Sequence, residues 1–306
     1  MQVLAEIPKG GKMTRCLMPL ETGRRCLPGQ LSSAQARDLL RLGWIVEMTH
    51  GAILMEDDMM DASIFRRGAL CRHLQPNIGM TAIADARMLR TSGRYLLRLH
   101  FEKHPCYLQL LHLLNEMSFH VDLGQITDVH LASTTFLGFR NFELGTYNFL
   151  IRHKTAWYSF FLPVALASYY LQLPASADLA QAEKIMVAVG MYFQAQDDYL
   201  DLFGDPAVTG KYGNDVHERK LAWPIVEALR RCGERDKSLL EQGYSDGNVE
   251  QVKSVLESLG LPQIYEEFAD RNNREIRGMI ARVDESQGLK RELFELYLAK
   301  LYRRAK

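Results

Sequence analysis

Tyr192-Phe-Gln-Ala-Gln-Asp-Asp-Tyr-Leu-Asp201, continuing as Leu-Phe-Gly-Asp-Pro206 and Thr209-Gly-Lys211, puts three carboxylates into a short stretch of otherwise helix-compatible sequence. Asp197 and Asp201 are four apart, so on a helix they leave from one face, with Asp198 one step round it. Like charges at that spacing repel. A hard cation relieves the repulsion, and Mg²⁺ is the cation that such oxygen clusters share with phosphates. An isolated acidic trio is often no more than a solvated helix face. Here the pattern recurs as Asp57-Asp-Met-Met-Asp61, one residue after the apolar run Gly51-Ala-Ile-Leu-Met55, and a solvated face is not embedded in that way. Two such trios, about 140 residues apart, suggest two helices facing each other across a cavity. A diphosphate held between them through several Mg²⁺ ions is the simplest ligand.

The chain has 306 residues, 47% of them hydrophobic, and a formal net charge of zero. That balance argues against nucleic-acid binding, which rests on an excess of Lys and Arg. The five cysteines are scattered, with no CxxC pair and no His-Cys cluster; neither a disulfide framework nor a zinc site is signalled, and a reducing compartment is the default. No stretch reaches the roughly 18 consecutive apolar residues of a membrane span. Period-two alternation is not sustained anywhere, and the turns are spaced for helices. The expectation is all-α: one domain over residues 1–306, a large helical bundle around a deep central cavity.

The stretches Gly10-Gly-Lys-Met-Thr-Arg15, Asp57 through Arg66-Arg67-Gly68, Gly124-Gln125 with Asp128, His153-Lys-Thr-Ala-Trp-Tyr-Ser159, Phe193 to Lys211, and the basic carboxyl end carry a specific resemblance. In order and spacing the chain resembles the trans-isoprenyl diphosphate synthases, most closely the eukaryotic farnesyl diphosphate synthase type, from about residue 7 to its end. Relatives usually carry one or two helices before the Gly-Gly-Lys segment, so the first family helices are expected to be missing here.

The resemblance implies the following roles. Lys12 and Arg15, in a turn-rich basic stretch over residues 8–30 that composition reads as a loop, grip isopentenyl diphosphate. They do so with His50, where eukaryotic members usually have Gln, with Arg67 and with Arg304 of the tail. Arg66 serves the allylic side, supported by Gln125 and Asp128. Lys154 and Thr155, expected to open an apolar helix, lie near the reacting carbon, with Phe193 and Gln194 beside the second motif. Lys211 and Lys220, on a glycine-punctuated loop, contact or support the diphosphate. Asp57, Asp58, Asp61, Asp197, Asp198 and Asp201 hold the metal, about three Mg²⁺ per site, with Mn²⁺ or Co²⁺ as alternatives.

Ala52 and Ile53 stand five and four residues before Asp57, where eukaryotic farnesyl synthases commonly have the aromatic floor of the prenyl pocket. Smaller side chains there open room for a longer product. The expected reaction is condensation of isopentenyl diphosphate with an allylic diphosphate to a C10–C20 product, farnesyl diphosphate first among them. A terpene synthase on the same scaffold is the alternative. A homodimer follows from the resemblance alone. The expected compartment is the cytoplasm, or an organelle if a targeting segment precedes this sequence.

Overall fold

Ser32 and Gln35 start the helix around which the fold is organised. In the computed structural model, which describes residues 11–132, 138–173, 176–205 and 213–302, Ser32 Oγ accepts from Gln35 N at 3.2 Å and Gln35 Oε1 accepts from Ser32 N at 3.0 Å. This reciprocal cap satisfies two otherwise orphaned donors. Helix α2, Ser33–Met60, is preceded by α1, Thr14–Cys26. The loop expected over residues 8–30 is therefore largely a helix, even with Pro19 inside it. The turn-forming residues are overruled by packing: Cys16, Met18, Leu20 and Cys26 are buried, and a Cβ on Gly43 of α2 would stand 1.9 Å from Cys16 O. The two backbones touch there, and only glycine permits it.

After α2 comes a two-stranded antiparallel hairpin, β1 (Phe65–Arg66) and β2 (Ala69–Leu70), with Phe65 opposite Leu70. Its two-residue loop has φ 54° at Arg67 and 78° at Gly68, the positive-φ pair of a type I′ turn. Helices α3 (Ala82–Phe101) and α4 (Tyr107–Leu131) follow. Next, α5 (Leu144–Ile151) runs through a π-helical stretch, Arg152–Phe161, into α6 (Leu162–Tyr170). Lys154 and Thr155 thus do not open a helix. They sit in a widened turn in the middle of one, ahead of Pro163, which cannot donate to the ladder.

The long α7, Ser176–Phe203, carries the second aspartate motif. The carboxyl-terminal part is α8 (Trp223–Leu229), α9 (Glu234–Asp246), α10 (Val249–Ser258), α11 (Leu261–Ala281) and α12 (Arg291–Tyr302). Left-handed glycines at 247, 260 and 288 separate α9 from α10, α10 from α11 and α11 from α12.

One core joins α2, α4, the π stretch, α6, α7 and α12; a second gathers Tyr147, Trp223, Tyr244 and Tyr265 with the helices of the carboxyl-terminal half. The π stretch is gripped from both sides. A Cβ on Gly124 of α4 would lie 2.4 Å from Lys154 N, and one on Gly190 of α7 would lie 2.7 Å from Ala156 Cα. The all-α expectation holds. Among the described residues, no helix is long and apolar enough to cross a membrane.

Candidate active site

The last turn of α2 presents Asp57 and Asp58, and Asp61 ends the helix by donating its N–H to Asp57 O. From α4, Gln125 Nε2 reaches Asp57 Oδ1 at 3.0 Å. Lys154 Nζ stands 3.0 Å from Asp57 Oδ1 and 2.6 Å from Asp128 Oδ2. Lys220 Nζ stands 2.6 Å from Asp61 Oδ1 and 2.7 Å from the same Asp128 oxygen. Two ammonium groups therefore clamp three carboxylates. Burial pushes Asp57 up, but Lys154 and Lys220 outweigh it and bring the group down to about 2. Asp128 is lowered for the same reason against the same burial. Asp61 is raised, by burial and then by the charge on Asp57. Burial would lower Lys154; Asp128 and Asp57 hold it above the ordinary lysine range instead.

The second motif is arranged differently. Asp198 is turned inward, where it accepts from Tyr147 Oη at 2.6 Å, Trp223 N at 3.0 Å and Gln194 Nε2 at 2.8 Å. Burial raises its pKa to about 6. Asp201 Oδ2 receives the backbone N–H of Asn214 and Asp215 at 2.9 and 3.0 Å, and Gly213 permits the approach, since a Cβ there would fall 1.8 Å from Asp201 O. Residues 220–223 link the two motifs: Lys220 bonds Asp61 and Asp128, and Trp223 N bonds Asp198.

The hairpin aims two arginines apart. Arg66 turns back, its Nε 2.8 Å from Asp58 Oδ1 and its guanidinium 3.4 Å from Asp57 Oδ2. Arg67, from its left-handed backbone, lies over Gly11, where a Cβ would meet its Nη2 at 2.7 Å. Arg15 donates to Ser159 Oγ at 3.0 Å and sits 5.4 Å above the Tyr158 ring. His50 Nδ1 is 2.9 Å from Tyr158 Oη. Burial, then the nearby Arg15, Arg67 and Arg66, hold His50 well below the imidazole range, so it is neutral. Buried Glu47, whose Oε2 has no hydrogen-bond partner, shares this electrostatic neighbourhood with Arg15 and Arg67. Behind Lys154, His153 Nδ1 meets His120 Nδ1 at 2.6 Å, with ring centres 4.8 Å apart. Those lengths put the nitrogens nearly in line between the rings, the geometry of an N–H···N bond from α4 to the π stretch.

Of the residues expected from sequence, Asp57, Asp58, Asp61, Arg66, Gln125, Asp128, Lys154 and Lys220 form one bonded network. Arg15 and His50 meet at Tyr158, with Arg67 close enough for its charge to act on His50, and Lys12 is exposed. Thr155 and Asp197 are half-buried; the Phe193 ring packs 5.3 Å from Phe160. Ala52 is enclosed with Ala82, Ala86 and Leu89 of α3, while Ile53 joins the main core. Lys211 and Arg304 lie outside the described residues. Sequence reading did not single out Glu47, Tyr147, Tyr158 or Ser159. The last two stand in the quoted Lys154 run, but nothing in a linear pattern says which ring meets His50.

Oxygens of Asp57, Asp61 and Asp128 lie within 4.8 Å of one another, and Gln125 Oε1 nearby is buried without a partner. An all-oxygen set of this kind suits a hard divalent cation. A helical bundle that gathers such a cluster and two sets of cations defines the isoprenoid synthase class of all-α enzymes.

The comparisons with known proteins agree with this class. A family model described as polyprenyl synthetase matches residues 1–259. The farnesyl pyrophosphate synthase of Schizosaccharomyces pombe is 38% identical over 300 residues, which is 97% of this chain and 86% of that protein; the Bos taurus farnesyl pyrophosphate synthase is 35% identical over 301 residues, 97% and 85% respectively. A T. brucei farnesyl diphosphate synthase complexed with risedronate shares the fold at a TM-score of 0.86 and 23% identity, over 99% of this chain and 88% of that one. The chain belongs to the polyprenyl synthetase family and is a prenyltransferase.

Proposed function

We propose that this prenyltransferase joins isopentenyl diphosphate to an allylic diphosphate and stops at farnesyl diphosphate, with residues 1–306 acting as one catalytic domain. The observation that carries the reading is the presence of two separate cationic sets, one around Asp57 and one around His50, as a reaction with two diphosphate substrates requires. A terpene synthase needs only the first.

Asp57, Asp61 and Asp197 would hold Mg²⁺, with Asp58, Asp128, Asp198 and Asp201 adding negative charge around them. When bound, Mg²⁺ neutralises diphosphate oxygens and draws charge from the breaking allylic C–O bond. Lys154 and Arg66 stabilise the charge that grows on the departing diphosphate, Lys154 from a position already fixed by two carboxylates. Arg15 and Arg67 bind the isopentenyl diphosphate with Lys12. If Tyr158 donates to Nδ1 of neutral His50, the His50 Nε2–H is left as a donor for that diphosphate. The isopentenyl double bond attacks the allylic carbon, and the released diphosphate takes the proton. The apolar walls around Phe160 and Phe193 keep water from the cation.

The apolar residues Met88, Tyr95 and Leu99 of α3 and Leu108, Phe119 and Ile126 of α4 are exposed, which supports a homodimer built on these two helices. Five free cysteines fit a cytoplasmic setting.

The experiment is an Mg²⁺ assay with isopentenyl diphosphate and C5, C10 or C15 allylic partners, each also given alone. Chain growth only when isopentenyl diphosphate is present is expected. Hydrocarbons formed from an allylic diphosphate alone, without chain growth, would refute the reading.

A further inference from the structure

Glu47 lies one turn before His50 on α2, so the two side chains leave from one face of that helix. It is 3% exposed, and among the described residues its Oε2 is the one carboxylate oxygen buried without a hydrogen-bond partner. The first turn of α1 rests on α2 at this level. Cys16 O touches Gly43, one turn before Glu47, and the Cys16 backbone N–H bonds the Glu47 carboxylate. No side chain caps α1 at Met13. Glu47 therefore accepts, from another helix, one of the N–H groups that the start of a helix leaves open, and its charge faces the positive pole of α1.

Arg15 is the residue before Cys16, and Arg67 comes from the β1–β2 turn. Burial raises the Glu47 carboxyl above its ordinary range, and Arg15 and then Arg67 pull it back. Burial lowers Arg67; the charge on Glu47 opposes this, while Arg15 and Arg66 add to it. Two guanidiniums and one carboxylate thus balance each other beside the neutral His50. Glu47 Oε2 accepts a hydrogen bond from neither arginine, so the attraction is one of charge and not a locked ion pair. A second anion can take it over without a bond being broken. Isopentenyl diphosphate brings such an anion to the same two arginines, and its ionised oxygens accept hydrogen bonds but donate none, so they compete with the carboxylate and cannot satisfy it.

We propose that Glu47 is the counter-anion of the isopentenyl diphosphate site, holding Arg15 and Arg67 in place while the site is empty and giving way to the diphosphate of the substrate. The proposal rests on the condensation reading above. Glu47 is a positioning residue, which acts through the two arginines and not on the reacting atoms. By one and the same coupling it stabilises the free enzyme and weakens its hold on isopentenyl diphosphate.

The test compares the purified full chain with Glu47→Gln, Glu47→Asp and Glu47→Gln/Arg67→Gln, by thermal denaturation without ligand and by the Mg²⁺ condensation assay. Glu47→Gln keeps the size of the side chain and an acceptor for Cys16 N–H but removes the charge. Its Tm is expected to fall, while its KM for isopentenyl diphosphate falls on the order of fivefold and its KM for the allylic substrate stays as in the wild type. Glu47→Asp, which keeps the charge, should lie nearer the wild type than Glu47→Gln in KM for isopentenyl diphosphate. A purely structural role would lower Tm without separating the two KM values in this direction. Adding Arg67→Gln to Glu47→Gln removes one of the two cations left unbalanced and should raise the Tm above that of the single variant, so a Glu47→Gln protein too unstable for kinetics still decides the matter. A folded Glu47→Gln enzyme whose KM for isopentenyl diphosphate is unchanged or higher, or a double variant no more stable than the single one, would overturn the proposal alone. No chain growth by the wild type would overturn the condensation reading and this proposal with it.

Discussion

The Lys220 ammonium lies 2.6 Å from Asp61 Oδ1, which pins the segment leading into α8 to the end of α2. In the absence of a divalent cation, this internal cation and Lys154 neutralise most of the carboxylate cluster. Replacing Lys220 by Met leaves Asp61 and Asp128 short of a buried partner, an effect of about 3 kcal/mol. A lower Tm is expected for the metal-free variant. Added Mg²⁺ should then raise its Tm by more than it raises the wild type's, as measured by thermal denaturation with and without the ion.

Asp57 makes hydrogen bonds to Gln125 and Lys154 and lies beside Arg66, so its loss disturbs charge more than packing. Asp57→Ala, and separately Asp197→Ala, should lower kcat on the order of 10³-fold. Circular dichroism should remain helical. Near-normal turnover in either variant is the result that removes the mechanism.

Gly124 is where α4 touches the backbone of Lys154. Gly124→Ala forces the two apart, since the neighbouring atoms are main-chain N and Cα rather than a flexible tip. A loss of about 1–3 kcal/mol is expected from overpacking. Because Lys154 moves with the π stretch, kcat should fall as well, more than the stability change explains at a temperature where the variant is folded.

His50 offers a pH test with a defined sign. The folded protein holds it well below its ordinary 6.5, chiefly by burial. Below that pH the unfolded chain accepts a proton that the folded one refuses, so stability is lost as pH falls from about 6.5 toward the folded value. His50→Gln should flatten that part of the Tm–pH curve. Equal pH sensitivity in both proteins would mean that His50 is not held neutral.

Phe119 and Ile126, 67% and 69% exposed, lie seven apart on α4 and share a face. Phe119→Glu/Ile126→Glu should yield monomers by light scattering where the parent is a dimer. A parent that is already monomeric removes the dimer proposal.

The helices were largely legible because their signals are local. Ser32 and Gln35 three residues on make a cap, His104-Pro105 ends one helix before another begins, and the glycines at 247, 260 and 288 stop helices wherever the fold places them. The exceptions are instructive. Proline and glycine made residues 14–26 read as a loop, yet burial of Met18, Leu20 and Cys26 against α2 holds them helical. The widened turn at Lys154 has no sequence pattern of its own, because it depends on Gly124 and Gly190 arriving from two other helices.

By itself, the sequence determined that there are two aspartate motifs, which residues carry positive charge near them, and that the chain is helical, because spacing along a helix and charge are properties of neighbours in the chain. Only the tertiary structure decided that Asp128 completes the carboxylate cluster with Asp57 and Asp61, that Asp198 faces inward to Tyr147 and Trp223, and that Tyr158 bonds His50. Each of these joins residues far apart in sequence, and a carboxylate's role follows from which donors and how much water remain around it once the helices have packed.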